Sequence, residues 1–360
     1  MIVETQLYTF ADTDAPFTLE SGHVLSPVTL AYETYGTLNP AGDNALLIVH
    51  GFTADAHAAG VHADTGKVGW WDDMIGPGKA FDTDRFFVVS SNCIGGCKGS
   101  TGPSSVDPAT SKPYGSKFPV ITIRDMVDAQ YRLLVHLGVK SLASVTGASM
   151  GGMQALQWLV SYPEFVRTAI PIACAARLSA MSLAMAEVSR AAILSDADWN
   201  GGDYYGKSFP AKGLALARMA AHLTYVSAEH LEAEFGRRPI DAYAGTFGVQ
   251  CELQDEGGRF VGRFDPNSFL CLSAAIENFD LAKSYGSLQA AFAPVKARVL
   301  LLSFSTDWLF PTRQLVELHE SLASVGVTSQ HIDIETPLGH DAFLTDWPKI
   351  HAPIVRFLAA

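Results

Sequence analysis

Ser149 stands in Gly147-Ala148-Ser149-Met150-Gly151, a G-x-S-x-G arrangement. A serine hydroxyl is a weak nucleophile until a base takes its proton. Flanking glycines suit a sharp turn that lifts the hydroxyl clear of the backbone. The apolar run SLASVTGAS (141–149) leads into the turn, and the helical pattern MGGMQALQWLVSYP (150–163) leads away. The spacing therefore predicts a strand–turn–helix unit, and the helix N-terminus would favour negative charge developing beside the serine. Without that context, the same residues read as a Gly/Ser turn with Ser149 capping the helix.

The partners of such a serine should lie further along the chain, acid before histidine, each at the C-terminal end of a strand. VLLLSFSTDWLFP places Asp307 just after one apolar run, and HIDIETPLGHDAF places His340 just after the next. Taken singly, Asp307 is a turn or N-cap residue and His340 a loop histidine. Taken in order, they predict acyl-transfer chemistry. His340 accepts the Ser149 proton, and Asp307 orients the imidazole and stabilises its cation. The expected oxyanion donors are the backbone N–H groups of Met150 and of Phe52, which lies in the loop HGFTADAH after the strand that ends at His50.

The elements that must position these residues are legible as apolar runs: 44–52, 85–92, 141–149, 167–175, 297–307 and 329–337. Continuous apolar runs of this length predict strands buried on both faces, as in a parallel sheet. Helical patterns alternate with several of them, including IRDMVDAQYRLLVHLG (123–138). The fold class is therefore α/β, with a mostly parallel, doubly wound sheet. From about 176 to 290 the pattern becomes helical, which predicts an insertion before the sheet resumes near 297.

The 360 residues carry a net charge of −12, which argues against nucleic acid and anionic membrane surfaces as partners. The five cysteines are scattered and odd in number, unlike a disulfide framework. Cys93 and Cys97 have three residues between them, but no second pair completes a metal site, so no metal is expected. The N-terminus has no basic stretch followed by an apolar one, and no run is long enough to span a bilayer. The default expectation is a cytoplasmic protein.

Further stretches carry a resemblance: GWWDDMIGPGKAFDTDRFFVVSSN, GGCKGSTGPSSVDPATSKPYG, GASMGGMQALQW, GLALARMAAHLTYVS, RFDPNSF, STDWLFP and GHDAF. With these, the chain resembles the homoserine O-acetyltransferase family of the α/β-hydrolase superfamily, from about residue 44 to 345. The resemblance implies an α/β-hydrolase core over 1–175 and 291–360, with a helical lid over 176–290. It implies ping-pong transfer of an acyl group from acyl-CoA, a co-substrate and not a bound cofactor, to the hydroxyl of L-homoserine. It also implies a homodimer formed through the lid. Arg218 would pair with the acceptor carboxylate, and Tyr225 and Asp341 would fix its amino group. Read from the residues alone, Arg218 is a snorkelling surface side chain, Tyr225 a core aromatic and Asp341 a helix cap.

The family also holds esterases with the same triad, so hydrolysis of small acetate esters stands as the alternative. Two departures bear on the choice. Relatives usually carry Ala-Leu where this chain has Gly51-Phe52, and Tyr-Gln-Gly where it has Asp255-Glu256-Gly257. Two acids in the lid would not attract an anionic coenzyme.

Overall fold

The computed structural model describes residues 1–12, 14–240 and 245–360. Its centre is an eight-stranded sheet: β1 (Gln6–Phe10), β2 (Val28–Tyr35), β3 (Ala45–Val49), β4 (Phe87–Ser91), β5 (Leu142–Ala148), β6 (Thr168–Ile172), β7 (Arg298–Phe304) and β8 (Ser329–Ile334). The spatial order is β1-β2-β4-β3-β5-β6-β7-β8. From β4 to β8 all neighbours are parallel, while β1 and β2 are antiparallel additions at one edge.

Side chains alternate across the sheet, and the two faces bury different cores. Leu47 and Val49 of β3 and Val299 and Leu301 of β7 face one core. Their neighbours Leu46, Ile48, Leu300 and Leu302 face the other. This two-sided burial is why the strands read as unbroken apolar runs.

Helices α1 (Ile123–His136) and α2 (Met150–Ser161) cover the first face, with α10 (Thr312–Ser324). Thr122 and Asp125 form a reciprocal capping box at the start of α1, and Gly138, at φ +83°, follows its end in the left-handed conformation that suits glycine. On the second face, α12 (Trp347–Ala359) contributes Ile350, Ile354 and Phe357 to the core. The short α11 (Ala342–Thr345) leads into α12.

Between β6 and β7 the chain forms α3 (Ala180–Leu194), α4 (Ala211–Tyr225), α5 (Ala228–Glu234), α6 (Gly248–Val261), α7 (Pro266–Asn278), α8 (Leu281–Tyr285) and α9 (Leu288–Phe292). Ser179, Ser227 and Asp265 accept backbone N–H groups at the starts of α3, α5 and α7. Helix α4 lies between α3 and α6, and α3 also touches α7. Helix α9 instead packs on α2 and α10, so the chain has rejoined the core before β7 begins.

No helix among the described residues is long and apolar enough to cross a membrane. Among them, too, no cluster of three or more His, Cys, Asp or Glu could hold a metal ion, and the five cysteines are free thiols.

Candidate active site

Ser149 occupies the sharp turn between β5 and α2, with φ 59° and ψ −124°. That conformation is unfavourable for a residue with a Cβ and persists only where its surroundings impose it. The surroundings here are the end of β3. A Cβ on Gly147 would lie 2.5 Å from the Val49 carbonyl oxygen, and one on Gly151 would lie 2.2 Å from it. Both positions therefore require glycine. Although Ser149 sits at the N-cap position, its side chain makes no capping hydrogen bond. The capping explanation of this serine fails, and its hydroxyl faces a cavity.

Asp307 and His340 come together from the loops after β7 and β8. Asp307 Oδ2 accepts a hydrogen bond from His340 Nδ1 at 2.7 Å. Its Oδ1 accepts the backbone N–H groups of Leu309 and Phe310, each at 2.9 Å. The turn role and the partner role of Asp307 are thus filled by different oxygens. Both side chains are almost wholly buried. Burial opposes protonation of the His340 ring, but the Asp307 carboxylate and its hydrogen bond, helped by Asp341, outweigh it. The ring's pKa stands above the ordinary histidine value.

The loop after β3 faces Ser149. Among the described residues, neither the Phe52 nor the Met150 N–H has an acceptor in the backbone. The peptide that carries the Phe52 N–H is held from its other end. His50, 1% exposed, accepts the Cys93 N–H on Nε2 at 3.1 Å. Its proton therefore lies on Nδ1, which donates to the Gly51 carbonyl at 2.8 Å. Burial keeps this ring neutral. The role of His50 went unread in the sequence; a histidine closing a wholly apolar strand was the available signal.

Two cavities meet at Ser149, and Phe52 and Tyr225 line both. The larger, about 660 Å³, also has His340, Asp341, Arg218 and Arg263 in its walls. The smaller, about 80 Å³, lies against α3, α4 and α7 and is walled by Leu178, Met185, Phe269, Leu309 and Phe310, with Glu277 beside them. Phe52 packs on Phe269 with ring centroids 4.7 Å apart, so the larger side chain at this position joins the loop after β3 to α7.

The three residues singled out by resemblance all reach the larger cavity. Arg218 is no surface side chain. It is buried, with its guanidinium carbon 5.2 Å from the Tyr225 ring centroid and 5.4 Å from that of Phe260. Tyr225 lies 6.0 Å from the His340 ring, centroid to centroid. Asp341 stands at the N-cap position of α11 yet makes no capping bond. Burial raises its pKa, against the opposing charges of His340, Arg218 and His222.

No role for Arg263, and no partner for Glu256, was legible in the sequence. Arg263, between α6 and α7, donates from Nη1 to the Thr53 carbonyl at 2.9 Å and so ties that connection to the loop after β3. Glu256 of α6 pairs with Arg218 at 2.7 Å and with Arg259 at 2.6 Å. Its charge is therefore spent between α4 and α6, and only Asp255 of the two acids is exposed. The expectation of two anionic charges confronting an approaching coenzyme is corrected accordingly, because the pairing with two arginines neutralises one of them. Both partners of Glu256 are remote in sequence or generic in type, so no pattern announced the network.

A buried carboxylate–imidazole pair, a serine on a strained turn in the same cavity and two unclaimed N–H groups can form and break an acyl ester through a stabilised oxyanion. Comparison with known proteins agrees. Residues 44–346 match the family described as the alpha/beta hydrolase fold. The homoserine O-acetyltransferase of Solidesulfovibrio magneticus is 50% identical over 99% of this chain and 92% of its own length. Among solved structures, homoserine O-acetyltransferase from Bacillus anthracis superposes with a TM-score of 0.93 at 32% identity, covering 100% of this chain and 98% of that one. Esterase E22 superposes with a TM-score of 0.90 at 32% identity, covering 99% and 100%. The chain belongs to the homoserine O-acetyltransferase family of α/β-hydrolase-fold enzymes.

Proposed function

We propose that this protein transfers an acetyl group from acetyl-CoA to the hydroxyl of L-homoserine, a step of methionine biosynthesis, by a ping-pong route. Ser149 Oγ attacks the thioester carbonyl while His340 Nε2 takes its proton, and the tetrahedral oxyanion rests on the Phe52 and Met150 N–H groups. Collapse expels the coenzyme thiolate, which takes the proton from His340 and leaves acetyl-Ser149. The acceptor hydroxyl then gives its proton to His340 and attacks the ester, and Ser149 leaves with that proton. Asp307 holds the imidazole in the required tautomer throughout.

The observation that carries the transferase reading is Arg218. A buried guanidinium in the cavity that Ser149 and His340 line suits a carboxylate-bearing acceptor, which water and simple alcohols are not. Asp341 and Tyr225 would take the acceptor's amino group. The smaller cavity, walled mostly by apolar side chains and with the Glu277 carboxylate already paired with Arg190, suits an acetyl methyl. Acyl-CoA enters as a substrate, and no resident cofactor is invoked.

The reading extends to a homodimer through the lid. Met181 and Val188 of α3, and Leu216 and Leu223 of α4, are exposed apolar pairs seven residues apart, each on one helix face. With small, soluble substrates the cytoplasm is the fitting location.

The test compares acetyl-CoA consumption with and without L-homoserine. Rapid turnover only with the acceptor, yielding O-acetylhomoserine, is expected; equal release of free acetate in both would assign the chain to the esterases. Arg218→Ala should raise the acceptor KM by about 10²-fold, the scale of a lost charge-assisted pair. An unchanged acceptor KM would remove Arg218 from acceptor binding.

A further inference from the structure

Arg218 does not face the cavity unaccompanied. Its Nε–H and one Nη2–H both donate to Glu256 Oε2, at 3.2 and 2.7 Å. One edge of the guanidinium is thereby claimed, and the edge formed by Nη1 and the second Nη2–H stays available. Stacking against the Tyr225 and Phe260 rings fixes the plane of the group. Glu256 is fixed in turn by Arg259, which donates to its other oxygen at 2.6 Å. His222 Nδ1 lies 3.7 Å from the shared oxygen.

The backbone makes this arrangement possible. Helices α4 and α6 approach closely because the residue after Glu256 is Gly257. A Cβ there would lie 2.9 Å from the Ala215 carbonyl oxygen and 3.2 Å from the Ala215 Cβ. This contact seats Glu256 one residue away, opposite Arg218. Burial opposes the charge of Glu256, yet the two guanidiniums prevail and hold its pKa down to about 2, so the pair persists through the working pH range.

We propose that Glu256 is a positioning residue for the acceptor amino acid. It grips one edge of Arg218 so that the adjacent edge, Nη1–H and the second Nη2–H, meets the acceptor carboxylate in a fixed, bidentate geometry. The proposal rests on the reading of Arg218 given above. It opposes a second view, in which Glu256 mimics the substrate carboxylate and must be displaced from Arg218 before the acceptor binds. The two views predict opposite signs. Removal of a grip weakens acceptor binding, whereas removal of a competitor strengthens it.

The experiment uses the full-length protein with Glu256→Ala, Glu256→Gln and Arg218→Ala. It measures the L-homoserine KM at saturating acetyl-CoA, and the rate of acylation by p-nitrophenyl acetate without acceptor. Glu256→Ala is expected to raise the acceptor KM about tenfold, a loss of about 1.4 kcal/mol, while acylation changes less than about twofold. Glu256→Gln, whose carbonyl still accepts the Nε–H, should recover most of the loss and covers the case in which the alanine variant folds poorly. An acceptor KM that stays level or falls in Glu256→Ala overturns the proposal, as does a parallel loss of acylation. If Arg218→Ala leaves the acceptor KM unchanged, the acceptor site itself has been misplaced. If Arg218→Ala raises it and Glu256→Ala does not, only the role of Glu256 is refuted.

Discussion

Replacing Asp307 by asparagine isolates one feature of the site, the tautomer of His340. Oδ1 of Asp307 accepts two backbone N–H groups at 2.9 Å, and Oδ2 accepts His340 Nδ1–H at 2.7 Å. An amide at this position has one acceptor and one donor end. Its oxygen must take the place of Oδ1, since the NH₂ group placed there would face two donors. The NH₂ group then points at His340 Nδ1, which can only respond as an acceptor, and the ring proton moves to Nε2. That is the nitrogen that must receive the Ser149 proton, so the base is lost while the turn keeps both its hydrogen bonds. A tautomer error of this kind lowers kcat by about 10⁴-fold, about 5.5 kcal/mol of transition-state stabilisation. Acylation by p-nitrophenyl acetate, followed as the first-turnover burst, measures it, and thermal unfolding checks that the fold survives. An asparagine variant that keeps more than about a tenth of the wild-type acylation rate, against the drop of about 10⁴-fold, would refute the assignment of His340 as base and Asp307 as its orienter.

Two other perturbations test the electrostatics and the turn. Because His340 acts as a base only when neutral and its pKa is raised, the acylation rate should climb with pH through a midpoint above about 6.5, the ordinary histidine value. Asp341→Asn removes a charge that contributes to the rise and should move the midpoint down; a wild-type midpoint at or below the ordinary value, or an immobile one in the variant, contradicts this. Gly151→Ala places a Cβ 2.2 Å from the Val49 carbonyl oxygen, so it should destabilise the protein by roughly 1–3 kcal/mol and slow phosphonate labelling of Ser149. Urea unfolding and labelling rates indistinguishable from wild type would show that the turn has slack the close packing denies.

The positions of Ser149, Asp307 and His340 were legible because local rules govern them. A glycine-flanked serine between an apolar run and a helical pattern, and an acid and a histidine each just past a buried strand, follow from how a parallel sheet presents its C-terminal ends. The six runs became β3 to β8, but only the first five are buried on both faces; β8 (SQHIDI) lies at the sheet edge and leaves all but Ile334 partly or fully exposed, which corrects the expectation for 329–337. The antiparallel pair β1 and β2 escaped notice because β1 (QLYTF) leaves most of its residues partly or fully exposed and no helix separates it from β2. Arg218, Tyr225 and Asp341 could be placed only by resemblance, since nothing in their spacing distinguishes a pocket residue from a surface one. The Arg218–Glu256 pair spans 38 residues and two helices, and it depends on a close approach that Gly257 permits, which is a tertiary event without a local signature.

The same close packing joins α4 to the loops that carry Asp307 and His340. The C-terminal end of α4, which carries Tyr225 about two turns beyond Arg218, is pinned to the loops that carry Asp307 and His340. Trp308 Nε1, next to Asp307, donates to the Val226 carbonyl at 3.1 Å. The Ser227 hydroxyl donates to the Pro337 carbonyl at the start of the His340 loop. Gly339, at φ +75°, brings its backbone so close that a Cβ would lie 2.6 Å from the Ser227 nitrogen and 3.0 Å from the Tyr225 carbonyl oxygen. Only glycine satisfies both the conformation and the space. The residues that would recognise the acceptor are thus mounted on the element against which the base and its acid are braced. A displacement of α4 large enough to spoil acceptor binding would also disturb the imidazole, and recognition and chemistry share one rigid frame.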